Sequence, residues 1–169
     1  MIRGLLRRLG RNESGAAAVE MALVTPLLLI LMVGGLEIGN YFMDEHRLVK
    51  AVRDGARYAA RKDFTFFGTC NAAPTGTVAS DTENLVRTSL LANGTDQLAN
   101  LTGAVTVTTK CSTGSGSVVY EGLYKGMAGG ARYVEVSASA DYMPVLAPFG
   151  FSLMGAKLNA KQQAAVSGV

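Results

Sequence analysis

The chain has 169 residues and a formal net charge of +3 at pH 7, a length that leaves room for one membrane anchor and one modest domain. The charge belongs to the N-terminal stub, where four basic residues stand against one acid: Arg3, Arg7, Arg8, Arg11 and Glu13. A nucleic-acid-binding domain would carry clustered basic residues on its folded part, so this distribution excludes nucleic acid as a partner.

Residues 16–36 form an apolar run of 21 residues in which Glu20 is the single charged side chain. About 20 apolar residues in a helix cross a bilayer core about 30 Å thick, so the run predicts a transmembrane helix with lipid as its surroundings. A lone carboxylate at membrane depth costs roughly 2.5–3.5 kcal/mol, which marks Glu20 as a functional residue with a partner. The arginines before the run hold the N-terminus in the cytoplasm and predict export of the remainder.

Two ordinary export signals fit part of this pattern. A secretory signal peptide carries its small residues after the apolar core, whereas here Gly15 and Ala16 stand before it; cleavage after Gly35 is the corresponding alternative. An uncleaved signal anchor is the other alternative. Neither explains an acid inside the membrane, four residues beyond Ala16.

The sequence GAAAVE at residues 15–20, behind a basic leader, is similar to the leader of type IV prepilins. More specifically, residues 15–63 resemble the TadE-like pseudopilins of tight-adherence (Tad) pilus machines. The resemblance rests on GAAAVE, on Pro26, on the exit from the membrane at Glu37 and on RDGARYAA at residues 53–60. Met21 departs from the family, which usually places an aromatic residue after the acid.

The resemblance implies that a prepilin peptidase cuts after Gly15 and that Ala16 becomes the new N-terminus. Glu20 then neutralises the amine of a neighbouring subunit and sets the stagger between subunits. The implied function is that of a minor pilin or pseudopilin acting in pilus assembly and surface adhesion. The implied partners are the peptidase, other pilins and the inner-membrane assembly platform. The resemblance also implies that the protein is a single-pass protein of the bacterial inner membrane. Incorporation into the pilus would follow as a later stage.

The main alternative is an uncleaved, membrane-anchored scaffold or binding domain of an envelope complex. Both readings share one domain plan. A cytoplasmic leader at residues 1–15 is followed by the transmembrane helix at 16–36, an amphipathic stem at 37–62 and an exported head at 63–169.

The stem continues the helix, because apolar residues recur at near-helical spacing as far as Lys62. Pro26 is expected to kink the helix within the bilayer. Arg53, Arg57 and Arg61 stand at positions i, i+4 and i+8 and form a basic stripe. The stripe is either a solvated face partly compensated by Asp54 or a contact for an acidic patch on a neighbouring pilin. Glu37 is expected at the outer membrane edge, where its solvation is cheap.

The sequence pattern of the head predicts a small antiparallel sheet, so the predicted fold class is α+β. Three phenylalanines are expected to cap the stem and enter the head core: Phe64, Phe66 and Phe67. A helix is predicted to begin with an N-cap in residues 80–83 and to end at residues 93–94. Alternating apolar and polar residues predict strands at 104–110, 133–142 and, more weakly, 153–166, with a further short segment at 118–120.

Cys70 and Cys111 both fall in the exported part, where an even count predicts one disulfide; two free buried thiols are the alternative. The chain has a single histidine, His46, on the stem, and no P-loop or glycine-rich dinucleotide motif. The sequence therefore predicts no catalytic set, no metal site, no cofactor and no small-molecule substrate, and a protein that is not an enzyme.

Overall fold

The structure is a computed structural model, which describes residues 14–92, 94–98, 101, 105–112, 124–125, 130–149 and 155–168. It divides into two compact units. The first comprises Met1–Asn40 with Val145–Ser152, and the second comprises Tyr41–Pro144 with Leu153–Val169. The expected leader, except for residues 14 and 15, and the expected strand at 118–120 lie outside the described residues.

Helix α1 runs from Ser14 to Ala60 without interruption and includes Pro26. The predicted continuous helix is therefore confirmed, although it ends two residues before Lys62. In its N-terminal half the large apolar side chains are exposed, as at Leu23, Leu27 and Leu31. This helix is the one among the described residues that is long and apolar enough to cross a membrane.

Three antiparallel strands form one sheet in the order β1-β2-β3. The strands are β1 (Thr106–Cys111), β2 (Arg132–Asp141) and β3 (Lys157–Ala165). The central strand buries every second residue, Val134, Val136, Ala138 and Ala140, as expected for a sheet with one face on a core. The sheet and α1 together confirm the predicted α+β class.

Helix α2 spans Val78–Thr88, so the boundaries predicted for it are wrong at both ends. It begins earlier than expected because Val78 is buried and extends the apolar face by one position. Its predicted N-cap residues lie inside the helix, and the observed N-cap, Thr77, makes no capping bond with its side chain. The helix ends where Ser89 takes a left-handed conformation with φ of 58°.

The core of the second unit lies between α1, α2 and the sheet. The C-terminal half of α1 supplies one buried side chain per turn, at Leu48, Val52, Ala56 and Ala59. A short 3-10 helix, Phe64–Phe67, adds three aromatic side chains; Phe67 is fully buried and the other two pack at the margin. The expected entry of these phenylalanines into the core is confirmed.

Candidate functional site

The predicted processing residues lie in the first turns of α1. Gly15 and Ala16 are exposed, and a Cβ atom placed on Gly15 would meet no heavy atom within 4 Å. Glu20 follows Ala16 by four residues, which is about 6 Å along a helix axis. Its side chain is exposed, and no described residue bonds to it. The carboxylate is thus open to a partner from outside the chain.

The surface of α1 around Glu20 is apolar and exposed. The neighbours Val19, Met21 and Leu23 are each more than half exposed. The most apolar 18-residue window of the helix has a mean hydropathy of 2.3 and is not buried by the rest of the protein. A soluble protein rarely exposes a contiguous apolar patch of this size, so the helix fits a single-pass membrane anchor.

Glu37, at the end of the apolar run, is buried rather than solvated. Its side chain is 4% exposed, and Oε2 accepts a hydrogen bond of 3.1 Å from the backbone N–H of Leu146. Both residues belong to the first unit. The expected cheap solvation of Glu37 is therefore wrong. Sequence reasoning missed its partner because 109 residues separate the two in the chain.

The three arginines of the predicted basic stripe are exposed: Arg53 and Arg57 lie on α1, and Arg61 follows its last residue. Among the described residues none of these three forms an ion pair, and Asp54 gives none of them the direct compensation that was considered. An Arg side chain without a local partner is a ready donor to a carboxylate on another surface.

Lys62 extends the basic surface and was not singled out by the sequence. Together with Asp54, Arg57, Tyr58 and Arg61 it lines a shallow depression. The Lys62 ammonium lies 4.4 Å from the centre of the Tyr58 ring. Hydrogen bonding with the Tyr58 side chain, and to a smaller extent the charge of Asp81, raise the pKa of Lys62 above its ordinary value. The depression therefore holds three cations and one acid.

Cys70 and Cys111 form a disulfide, with their Cα atoms 5.5 Å apart. The predicted bond is confirmed, and the free-thiol alternative is wrong. The segment after Cys70 also pairs with β1: Asn71 donates its N–H to the Thr109 carbonyl, and Thr109 donates to the Ala72 carbonyl, each at 2.7 Å. The disulfide thus closes a connection that backbone hydrogen bonds already align.

Within the residues that the structure describes, no group of three His, Cys, Asp or Glu side chains is placed to hold a metal ion. His46 is an exposed residue of α1. The chemistry that the described site offers is therefore electrostatic and apolar: an acid in an apolar helix, a buried acid at its end and a basic stripe beyond.

A single apolar helix followed by a small sheet, with an acid near the helix start, is consistent with a membrane-anchored subunit of a pilus-related assembly. Comparison with protein families supports this class: the family model for TadE-like protein matches residues 15–57. The match confirms the resemblance to TadE-like pseudopilins that the sequence indicated, and this family is structural rather than catalytic. No curated protein and no solved structure gives a significant match.

Proposed function

We propose that this protein is a minor pilin or pseudopilin of a tight-adherence pilus, processed by a prepilin peptidase after Gly15. The observation that carries the proposal is the TadE-like match over residues 15–57, because it covers the apolar helix, its acid and most of the stem. The role is that of a peptidase substrate and assembly subunit, with no catalytic function of its own.

Cleavage after Gly15 would create an ammonium group on Ala16 at the cytoplasmic edge of the membrane. Glu20 supplies the opposite charge one helical turn away, and its exposure on α1 suits it to the amine of a neighbouring subunit. Once a charge pair forms in a low-dielectric surrounding, removing one partner costs about 3–5 kcal/mol. Such a pair favours one stagger between subunits over all others.

The protein would stay in the inner membrane with its N-terminus cytoplasmic and its head exported. From there the assembly platform and other pilins would take it into the filament, where it would contribute to surface adhesion. The arginines of the stripe, which form no ion pair with any described residue, would contact an acidic patch on a neighbouring pilin. Arg and carboxylate groups pair through two parallel hydrogen bonds, which adds orientation to the attraction.

The intact mass and N-terminal sequence of the protein from its native membrane test the processing step. We expect a chain that starts at Ala16, and we expect Gly15→Val to abolish this product because the bulkier residue blocks the peptidase. A wild-type chain that still starts at Met1 would contradict processing and would favour the uncleaved scaffold.

A second pair of variants tests assembly separately from cleavage. We expect Glu20→Ala to be cleaved normally but to be absent from purified filaments, because the neighbour's amine loses its counter-charge. Glu20→Asp keeps the charge and should retain part of the incorporation. Normal incorporation of Glu20→Ala would rule out the assembly role of this acid.

A further inference from the structure

We propose that residues 145–149, here called the apolar loop, form a second membrane contact that lies in the outer lipid interface beside α1. The inference rests on α1 spanning the membrane, and it is independent of whether the leader is cleaved. It assigns a lipid-facing role to a segment of the connection between β2 and β3.

The apolar loop belongs to an uncharged stretch of the chain. No charged residue occurs from position 142 to position 156, whereas Asp141 and Lys157 flank the stretch at its two ends. Within it, Val145 is 61% exposed, and Ala147 and Pro148 are exposed as well. Apolar side chains that are exposed together in an uncharged stretch are a candidate interaction surface.

The position of the loop follows from its bond to α1. The 21 residues of the apolar run rise about 1.5 Å each, which matches a hydrocarbon core about 30 Å thick. Glu37 follows this run directly, so it lies where the outer leaflet meets water. Its Oε2 holds the Leu146 N–H at 3.1 Å, and this bond places the apolar loop at the same depth.

The same bond lowers the free-energy cost of placing the loop backbone in contact with lipid. A backbone N–H that enters the acyl region must find a partner within the protein, because lipid tails accept no hydrogen bond. Glu37 provides that partner for Leu146, and the loop in turn shields the carboxylate, which is 4% exposed. The Glu37 carboxylate and the Leu146 N–H would each be unfavourable in the lipid interface alone, and the hydrogen bond between them reduces the cost of both.

Lipid is the occupant that the surroundings favour. The loop lies in the same compact unit as the N-terminal part of α1, and the helix residues on either side of Glu37, Leu36 and Ile38, are both more than half exposed. These apolar side chains and the loop all belong to the first unit, at the end of the membrane span. Apolar groups at such a depth enter the headgroup and acyl boundary by about 5–10 Å.

The experiment uses the absence of tryptophan from the chain. A single Trp is introduced in the full-length protein, reconstituted into phosphatidylcholine vesicles whose acyl chains carry bromine near the headgroup or near the chain end. Val145→Trp probes the loop. Ile30→Trp, within the apolar run, is the control for helix insertion. Leu91→Trp is the matched control for an exposed apolar residue of the second unit, since Leu91 is 52% exposed.

We expect Val145→Trp to lose at least half of its emission to bromine near the headgroup and less to bromine near the chain end. Ile30→Trp should show the reverse order, and Leu91→Trp should keep its emission. An unquenched Val145→Trp beside a quenched Ile30→Trp would overturn the proposal while leaving the membrane helix intact. An unquenched Ile30→Trp would overturn both. If the emission of Val145→Trp is not quenched by bromine but changes with the protein-to-lipid ratio, the loop contacts a second copy of the chain. That result would also overturn the proposal.

Two further variants in the Val145→Trp background test the bond that holds the loop. Glu37→Gln keeps an oxygen acceptor for the Leu146 N–H and should retain the quenching by bromine near the headgroup. Glu37→Ala removes the acceptor and should lose most of it. Equal quenching in the two variants would show that Glu37 does not position the loop.

Discussion

A Cβ atom placed on Gly55 would lie 2.5 Å from Cγ2 of Val86, so α1 and α2 pack at a distance that only glycine permits. The nearest atom of Thr82 would be 3.3 Å away. Gly55 belongs to the RDGARYAA sequence and to the segment that matches the TadE-like family. Its part in this protein is to let α2 pack closely against the C-terminal part of α1 within the second unit, while Arg53 and Arg57 stay exposed.

We expect Gly55→Ala to lower the free energy of unfolding by up to about 2 kcal/mol net. The added methyl group overpacks the contact with Val86 at a cost of about 1–3 kcal/mol, and the better helix propensity of alanine returns about 1 kcal/mol. Urea denaturation of the full chain in detergent, followed by circular dichroism, measures the change.

The matched control is Gly39→Ala, in the same helix, where the new Cβ would meet no heavy atom within 4 Å. It should leave stability unchanged or raise it by up to about 1 kcal/mol. Val86→Ala makes room for the methyl group, so the double variant with Gly55→Ala should be more stable than the two single losses predict. If the losses in free energy of unfolding of the two single variants simply add in the double variant, the methyl group at position 55 and the side chain of Val86 do not compete for space.

Reduction of the Cys70–Cys111 disulfide should destabilise the head. The bond joins residues 41 positions apart, and in the chain-entropy model a loop of this size stabilises the folded state by about 4 kcal/mol. We expect a lower melting temperature for Cys70→Ser/Cys111→Ser and for the wild type in reductant. A melting temperature that is the same with and without reductant would contradict the prediction.

Charge reversal on the stripe should impair incorporation into filaments without impairing the fold. Arg57→Glu exchanges an exposed cation that forms no ion pair among the described residues, so its direct cost to stability should be within about 0.5 kcal/mol. Incorporation should fall, because the carboxylate of the neighbour would meet a like charge. Lys125→Glu is the control, since it makes the same charge change at another exposed position. Equal incorporation of both variants would identify the stripe as a solvated face.

Acid should weaken the sheet through Glu135. Lys161 and Gln163 on β3 both donate to its carboxylate, at 2.9 and 2.7 Å, and these bonds lower the pKa of Glu135 below its ordinary value of 4.5. A lowered pKa means that the bonds stabilise the folded state above the ordinary pKa and that this contribution is lost as the pH falls through the folded-state pKa.

As the pH is lowered below about 4.5, we therefore expect the denaturation midpoint of the wild type to decrease more steeply than that of Glu135→Gln. Lys161→Met, which removes one donor, should also flatten the dependence. If the denaturation midpoint changed with pH by the same amount in all three proteins, the acid sensitivity would arise from a group other than Glu135.

The elements that the sequence predicted well depend on neighbours along the chain. The apolar run, the helical spacing beyond it and the strict alternation around Val134 and Val136 are local patterns, and α1 and β2 follow them closely. The disulfide was also predictable, because Cys70 and Cys111 are the two cysteines of the chain. The TadE-like match lies in the same local patterns of α1.

The predictions that failed depend on contacts between distant parts of the chain. Helix α2 begins at Val78 because that side chain is buried in the core, and it ends where Ser89 adopts a left-handed conformation. Neither fact follows from the capping residues, which were expected further along. Glu37 was expected in solvent because its partner, the Leu146 N–H, is a backbone group that carries no mark in the sequence.

By itself, the sequence determined that this protein has one membrane-length helix with a lone acid, because hydrophobicity and charge act through spacing along the chain. Only the tertiary structure decided what Gly55 packs against, what Glu37 holds and that the three arginines of the stripe form no ion pair with the part of the chain that the structure describes. Those outcomes depend on packing distance and burial, which exist only after residues far apart in the chain have come together.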